Sequence, residues 1–132
     1  MTEATASRYL LDTNICIYLL QDLDSAPADR AMLRLEACGV DRVLLSAVTA
    51  GEILIGATRR GDWNDAQEFM SQFEILPFDE ECAAHYAKLP FKRASFDRLI
   101  AATALAHGLT IITNNEQDFA AIPGLSVENW TA

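Results

Sequence analysis

The 132 residues fit one domain, read as residues 1–132, and 51% hydrophobic against 22% charged residues is ordinary for a folded core. No apolar run approaches the ~18 residues of a membrane span, and residues 1–8 lack the basic start and apolar stretch of a signal peptide, so a soluble, cytoplasmic protein is expected. Ten basic against 19 acidic residues give a net charge of −9, which argues against general, sequence-independent nucleic-acid binding.

Along the chain, strand-like and helix-like patterns alternate. Tyr9-Leu10-Leu11 is a short apolar run that ends at Asp12-Thr13-Asn14, where Ile15, Tyr18 and Leu19 take up helical spacing. Residues 22–26 and Pro27 break that helix and start another, reaching about Cys38-Gly39. Residues 43–46 form a second β-like run, followed by a helix from about Ala47 to Arg60 with Gly61 as its stop. Asp62 is expected to cap a helix carrying Ala66, Phe69, Met70 and Phe73, and Ile75-Leu76-Pro77 to be a third strand at its end or at a sheet edge. Asp79 opens a helix with Cys82, Tyr86 and Leu89 on one face; a basic loop, FKRAS, follows Pro90. The last helix runs from Phe96 to His107, with strands at 109–113 and 126–128 after it. Strands separated by helices predict βαβ units, a mostly parallel five-stranded sheet and helices on both faces. Ligands of such sheets bind beyond the carboxyl ends of the strands, where strand order reverses.

The predicted strand tips are polar and acidic. Asp12 suits a helix N-cap, and Glu52 completes a T-x-x-E capping box with Thr49, although Ser46 would cap the same helix earlier and leave Glu52 in its second turn. Asp97 complements the dipole of the most apolar helix in the chain, at whose buried tip Arg98 competes with a metal ion as its partner. Asn115 and Asp118 follow the fourth strand in a turn-like, Asn-rich stretch. Each residue has a local structural explanation, but together they put four acids at one sheet edge. At ~4–5 Å and an effective dielectric of ~20, each close carboxylate pair costs about 3.5–4 kcal/mol. Such a cluster takes up protons or binds a cation, and an all-oxygen set suits Mg²⁺ or Mn²⁺. Metal-dependent phosphodiester hydrolysis follows as the reading of the residues. The histidines, His85 and His107, fit surface or helix-end positions, the cysteines fit reduced core positions without metal-type spacing, and no GxGxxG or P-loop motif occurs.

The motifs LLDTN (10–14), LSAVTAGEILIGA (45–57), ILPFDEECAAHYA (75–87), FDRLIAATALAHGLTIITNNEQDF (96–119) and IPGLSVENW (122–130) resemble, in order and over nearly the whole chain, the PIN-domain family, and within it the VapC toxins of bacterial toxin–antitoxin pairs and the FitB-like proteins. The resemblance implies an α/β/α sandwich and a Mg²⁺/Mn²⁺-dependent endoribonuclease. It further implies a homodimer, inhibition by a cognate VapB-like antitoxin and a larger complex with it on operator DNA. On the family pattern Asp12, Glu52 and Asp97 match the metal-ligating acids. The fourth acidic position falls on Asn115, for which Asp118 is the candidate substitute. Thr13, Asn14, Ser46, Thr113 and Asn114 fall beside the site as candidates to orient water or phosphate.

Many relatives have a longer connection before the residue matched by Asp97. Here residues 88–98 hold Lys88, Lys92, Arg93 and Arg98 against Asp97 alone, the only positive stretch of the chain. Lys92, Arg93 and Arg98 are therefore candidate contacts to an RNA backbone. Two other readings stand beside the nuclease: a catalytically weak PIN-fold binding module, favoured by the amide at Asn115, and an aspartate-based phosphatase, which would want an acid where Asn14 stands.

Overall fold

A computed structural model describes residues 8–21, 25–90 and 95–132. Five short strands, β1 (Tyr9–Leu11), β2 (Val43–Ser46), β3 (Glu74–Leu76), β4 (Thr110–Ile112) and β5 (Ser126–Glu128), form one sheet in the order β3-β2-β1-β4-β5. Every neighbouring pair is parallel, with Leu10 level with Leu44 on one side and Ile111 on the other. The central strands β1, β2 and β4 are apolar at nearly every position because both their faces are covered; the edge strands β3 and β5 are the exposed ones.

Alternation along the strands divides the core in two. Leu11, Val43, Leu45 and Ile112 pack with α1 (Thr13–Gln21), α2 (Ala26–Cys38), α3 (Ala47–Arg60) and α4 (Trp63–Met70). Leu10, Leu44 and Ile111 pack on the other face against α6 (Phe96–His107), which in turn packs on α5 (Glu80–Ala87). Residues Ile100 to Ala104 of α6 are all buried, which the run of small side chains makes possible.

Local chemistry sets most helix ends. Ser25, Ser46, Asp79 and Ser95 each accept a hydrogen bond from a first-turn N–H, and Gly61 and Gly108 end α3 and α6 at φ 81° and 65°. Several expectations shift. Leu89, expected on the helix that Asp79 opens, lies two residues beyond the end of α5 at Ala87. Asp62 precedes α4 but does not cap it: at φ −113° and ψ 38° its backbone is outside the extended region that cap residues take, and its Oδ2 accepts from Arg60 Nε at 3.0 Å while Oδ1 has no partner. Phe73 lies beyond α4, buried in the core all the same. The fourth strand is shorter than 109–113, since the Leu109 N–H closes α6 on Ala104 while Thr113 N–H bonds Glu128 O at 3.0 Å. The three cysteines are free thiols, Cys16 and Cys82 fully inside. Among the described residues no helix is long and apolar enough to cross a membrane.

Candidate active site

Strand order reverses around β1: the chain steps outward through β2 and β3, then returns to the other side for β4 and β5. The carboxyl ends of β1 and β4 therefore flank the crevice where such sheets bind ligands. Asp12 immediately follows β1 and Thr113 follows β4, and each is almost wholly buried. Asp12 Oδ1 accepts the Thr13 N–H at 2.8 Å and Oδ2 accepts the Thr113 hydroxyl at 2.8 Å. Burial nonetheless holds the Asp12 carboxyl above the usual carboxylate range; the Thr113 and Thr13 bonds oppose the shift, while Glu52 and Asp118 add to it. The Thr113 hydroxyl proton is committed to Asp12, and its oxygen also accepts the Asn115 N–H at 3.1 Å.

Glu52 projects from the second turn of α3 because Ser46, not Thr49, caps that helix, accepting the Thr49 N–H at 3.0 Å. Thr13 Oγ1 donates to Glu52 Oε1 at 2.6 Å and lies 3.1 Å from Thr49 Oγ1. A single hydroxyl proton serves one acceptor, so Thr49 supplies the proton of the Thr13–Thr49 contact. Two helices are thus pinned together at the first carboxylates.

Asp97 stands in the first turn of α6, which Ser95 caps through the Arg98 N–H at 3.3 Å. Half-buried, its carboxyl is pushed up to about 6, first by burial and then by Asp12, Asp118 and Glu52, with a hydrogen bond to Asp118 contributing. Acids from four separate elements thus share one field. The partnership with Arg98 is not made: among the described residues Arg98 forms no ion pair, and its Nη1 is buried without a hydrogen-bond partner.

Asp118 ends a 3-10 turn, residues 116–118, and its Oδ2 accepts from Asn115 Nδ2 at 2.8 Å. The negative charge that this stretch brings to the acid cluster sits on Asp118, three residues beyond Asn115, with the amide of Asn115 donating to it. Asn114 Nδ2 donates to the Tyr18 hydroxyl at 3.0 Å, a partner that sequence reasoning missed because only tertiary folding brings the two together. Asn14 is exposed at the start of α1. Ser46, Thr13 and Thr113, expected to orient water or phosphate, are buried and spend their hydroxyls on the α3 cap, Glu52 and Asp12 respectively. Of the basic stretch, Lys88 is exposed at the end of α5, and Lys92 and Arg93 lie outside the described residues.

A cavity of about 340 Å³ opens beside the acids, with Asp97 and Asp118 in its wall. As donors for a metal the acids fit a hard cation: all are oxygens, and the like charges that raise Asp97 are those a divalent ion would neutralise. Among the described residues no three His, Cys, Asp or Glu side chains close into a finished ligand cage.

The model of the PIN domain matches residues 9–125. The chain belongs to the PIN-domain family. Its similarity to other PIN proteins runs over nearly the full length of both partners. The tRNA(fMet)-specific endonuclease VapC of Salmonella typhimurium is 28% identical over 134 residues, covering 93% of this chain and 98% of that protein. Toxin FitB of Neisseria gonorrhoeae is 31% identical over 138 residues, covering 92% and 97%. Among solved PIN structures, VapBC2 from Rickettsia felis bound to a DNA fragment from its promoter superposes with a TM-score of 0.76 at 28% identity over 92% of this chain and 98% of that one. FitAB bound to the IR36 DNA fragment gives 0.79 at 29% identity over 94% and 96%.

Proposed function

We propose that this PIN domain is a divalent-metal-dependent endoribonuclease, the toxin of a toxin–antitoxin pair, using Mg²⁺ or Mn²⁺. The observation that carries the reading is the convergence of Asp12, Glu52, Asp97 and Asp118, from four elements, on the switch point of a parallel sheet. A relative named as a tRNA(fMet)-specific endonuclease VapC supports the chemistry, and one named toxin FitB supports the toxin role. A divalent ion bound there supplies neutralisation of phosphoryl charge and a water of lowered pKa. The chain's own contribution is placement. Thr113 and the Thr13 N–H fix both oxygens of Asp12, Thr13 fixes Glu52, and Asn115 orients Asp118. Asp97 is presented at the positive end of α6. Asn14, Asn114, Lys92, Arg93 and Arg98 remain as proposed contacts to the RNA.

The partner is a VapB-like antitoxin, and the assembly a homodimer that joins the antitoxin on operator DNA. Support comes from structures of VapBC2 and FitAB complexes on DNA. An acidic body of net charge −9 is also a favourable surface for an antitoxin with basic segments. The test incubates the protein and Asp97→Asn with structured RNAs, tRNA(fMet) among them, in Mn²⁺ or in EDTA. Cleavage is expected only from the wild type with metal; cleavage that persists in EDTA or in the variant overturns the metal mechanism. Absence of cleavage of any RNA, with harmless expression in cells, would favour a binding module instead.

A further inference from the structure

The cavity beside the acids contains a cation that the carboxylate chemistry does not use. Pro90 and Ile122 give it an apolar side, Asp97, Asp118 and Gln117 a polar one, and Arg98 lines it as well. Arg98 is the first residue after a proposed metal ligand, yet neither acid of the cavity takes it as an ion-pair partner among the described residues. Its Nη1, shielded from water and unbonded, is a group that a folded protein normally satisfies. Left unpaired it costs stability, and because Arg98 itself lines the cavity, an acceptor entering there would relieve that cost once the guanidinium turns toward it.

We propose that this cavity is a nucleotide subsite in which Arg98 pairs with a phosphate adjoining the one that is cut, while Pro90 and Ile122 pack against the unstacked base or sugar. The inference rests on the ribonuclease reading and adds to it where selectivity arises. Three observations favour RNA as the occupant. Asp97 and Asp118 belong both to the cavity wall and to the acid cluster, so whatever fills the cavity is continuous with the reacting strand. A planar guanidinium fork matches phosphate oxygens in pairs. At about 340 Å³ the space lies at the small end of ligand pockets, suited to one splayed nucleotide and not to a duplex.

The test follows the Arg98 Nε–H signal of ¹⁵N-labelled protein by NMR, in EDTA, on titration to millimolar concentration. The probes are 5′-phosphorylated dinucleotides, their unphosphorylated counterparts and a Glu-Glu dipeptide. Phosphorylated dinucleotides should shift the signal and bind about tenfold more tightly than the unphosphorylated ones. Arg98→Met should abolish that difference, and Arg98→Lys, which keeps charge but loses the fork, should retain part of it. Arg98→Met should melt at or above the wild-type temperature, whereas a merely structural arginine would lower it. A silent Arg98 signal, a response to the dipeptide alone, or an undiminished phosphate preference in Arg98→Met overturns the subsite. The two readings separate cleanly. RNA cleavage with a silent Arg98 sinks only the subsite, and nucleotide binding without any cleavage sinks only the nuclease.

Discussion

The two halves of the acid cluster are built differently. Around β1 and α3, Asp12 and Glu52 are held by buried hydroxyls and a backbone N–H, each bond between 2.6 and 2.8 Å. Across the crevice, Asp97 is half-buried, Asp118 is exposed, and Arg98 has a buried nitrogen with no partner. The locked half is preorganised: its carboxylates cannot turn without breaking bonds inside the core, which suits groups that must hold a cation at fixed geometry. The open half combines an exposed carboxylate with one unsatisfied buried nitrogen, which suits groups that complete their bonding only with metal or substrate. Rigidity and selectivity are thereby assigned to opposite sides of one sheet edge.

The largest effect should come from the locked half. Asp12→Asn keeps the shape and an acceptor for Thr113 but removes a central charge, and RNA cleavage in Mn²⁺ should fall at least about a thousandfold. A loss under tenfold in a single-turnover assay would move the centre of the chemistry elsewhere. Next is Thr13→Val, which preserves volume but unties Glu52. By analogy with groups that orient metal ligands, cleavage should drop roughly 10–100-fold, with Thr13→Ser restoring most of it. If valine and serine behave alike, the 2.6 Å bond to Glu52 is not what positions that carboxylate.

The open half should tolerate rearrangement. Asp118→Asn is expected to lower kcat/KM by about tenfold, comparable with losing an orienting group. Adding Asn115→Asp should recover part of that loss, because a charge is then restored at the neighbour that position 118 already bonds. An additive loss in the double variant would mean that the site needs the charge at position 118 itself, since the 115–118 hydrogen bond can form with donor and acceptor exchanged.

The contrast between the halves also explains what could be read from the sequence. Ser46, Asp79 and Ser95 announce helix starts through bonds to residues three positions away, so they are legible locally. The acids at the tips of β1 and β4 follow from a parallel sheet whose order reverses at β1. The partners are another matter. Thr13 meets Glu52 across 39 residues and Thr113 meets Asp12 across 101, and no local pattern tells a hydroxyl that fixes a carboxylate from one that faces substrate. Asp62 fails as a cap for a reason of backbone shape: after the left-handed Gly61 it sits at ψ 38°, outside the extended region a cap residue takes, and that angle is not written in the residue type. The unpaired Arg98 nitrogen is not legible, since Asp97-Arg98 in sequence leaves an arginine and a metal ion as rival partners for the acid.

The smallest effect is on stability, and it has the opposite sign to the effect on activity. Asp97 titrates at about 6 in the fold against 3.8 ordinarily, so the folded state holds its proton more tightly than the unfolded chain does. That favourable contribution is complete below pH ~3.8 and is lost as pH rises through about 6, where the folded protein must carry the charge among Asp12, Asp118 and Glu52. Asp97→Asn carries no charge at any of these pH values. Its melting temperature should therefore equal that of the wild type near pH 4 and exceed it at pH 7.5. For a half-buried group screened by water the gain is on the order of 1 kcal/mol, or about 2–5 °C for a domain of this size. Mn²⁺ should reverse the order by stabilising the wild type more than the variant, since bound ligand adds to folding free energy. Equal melting curves at pH 7.5, with and without Mn²⁺, would show that Asp97 neither shares the field of the locked half nor takes part in holding the ion.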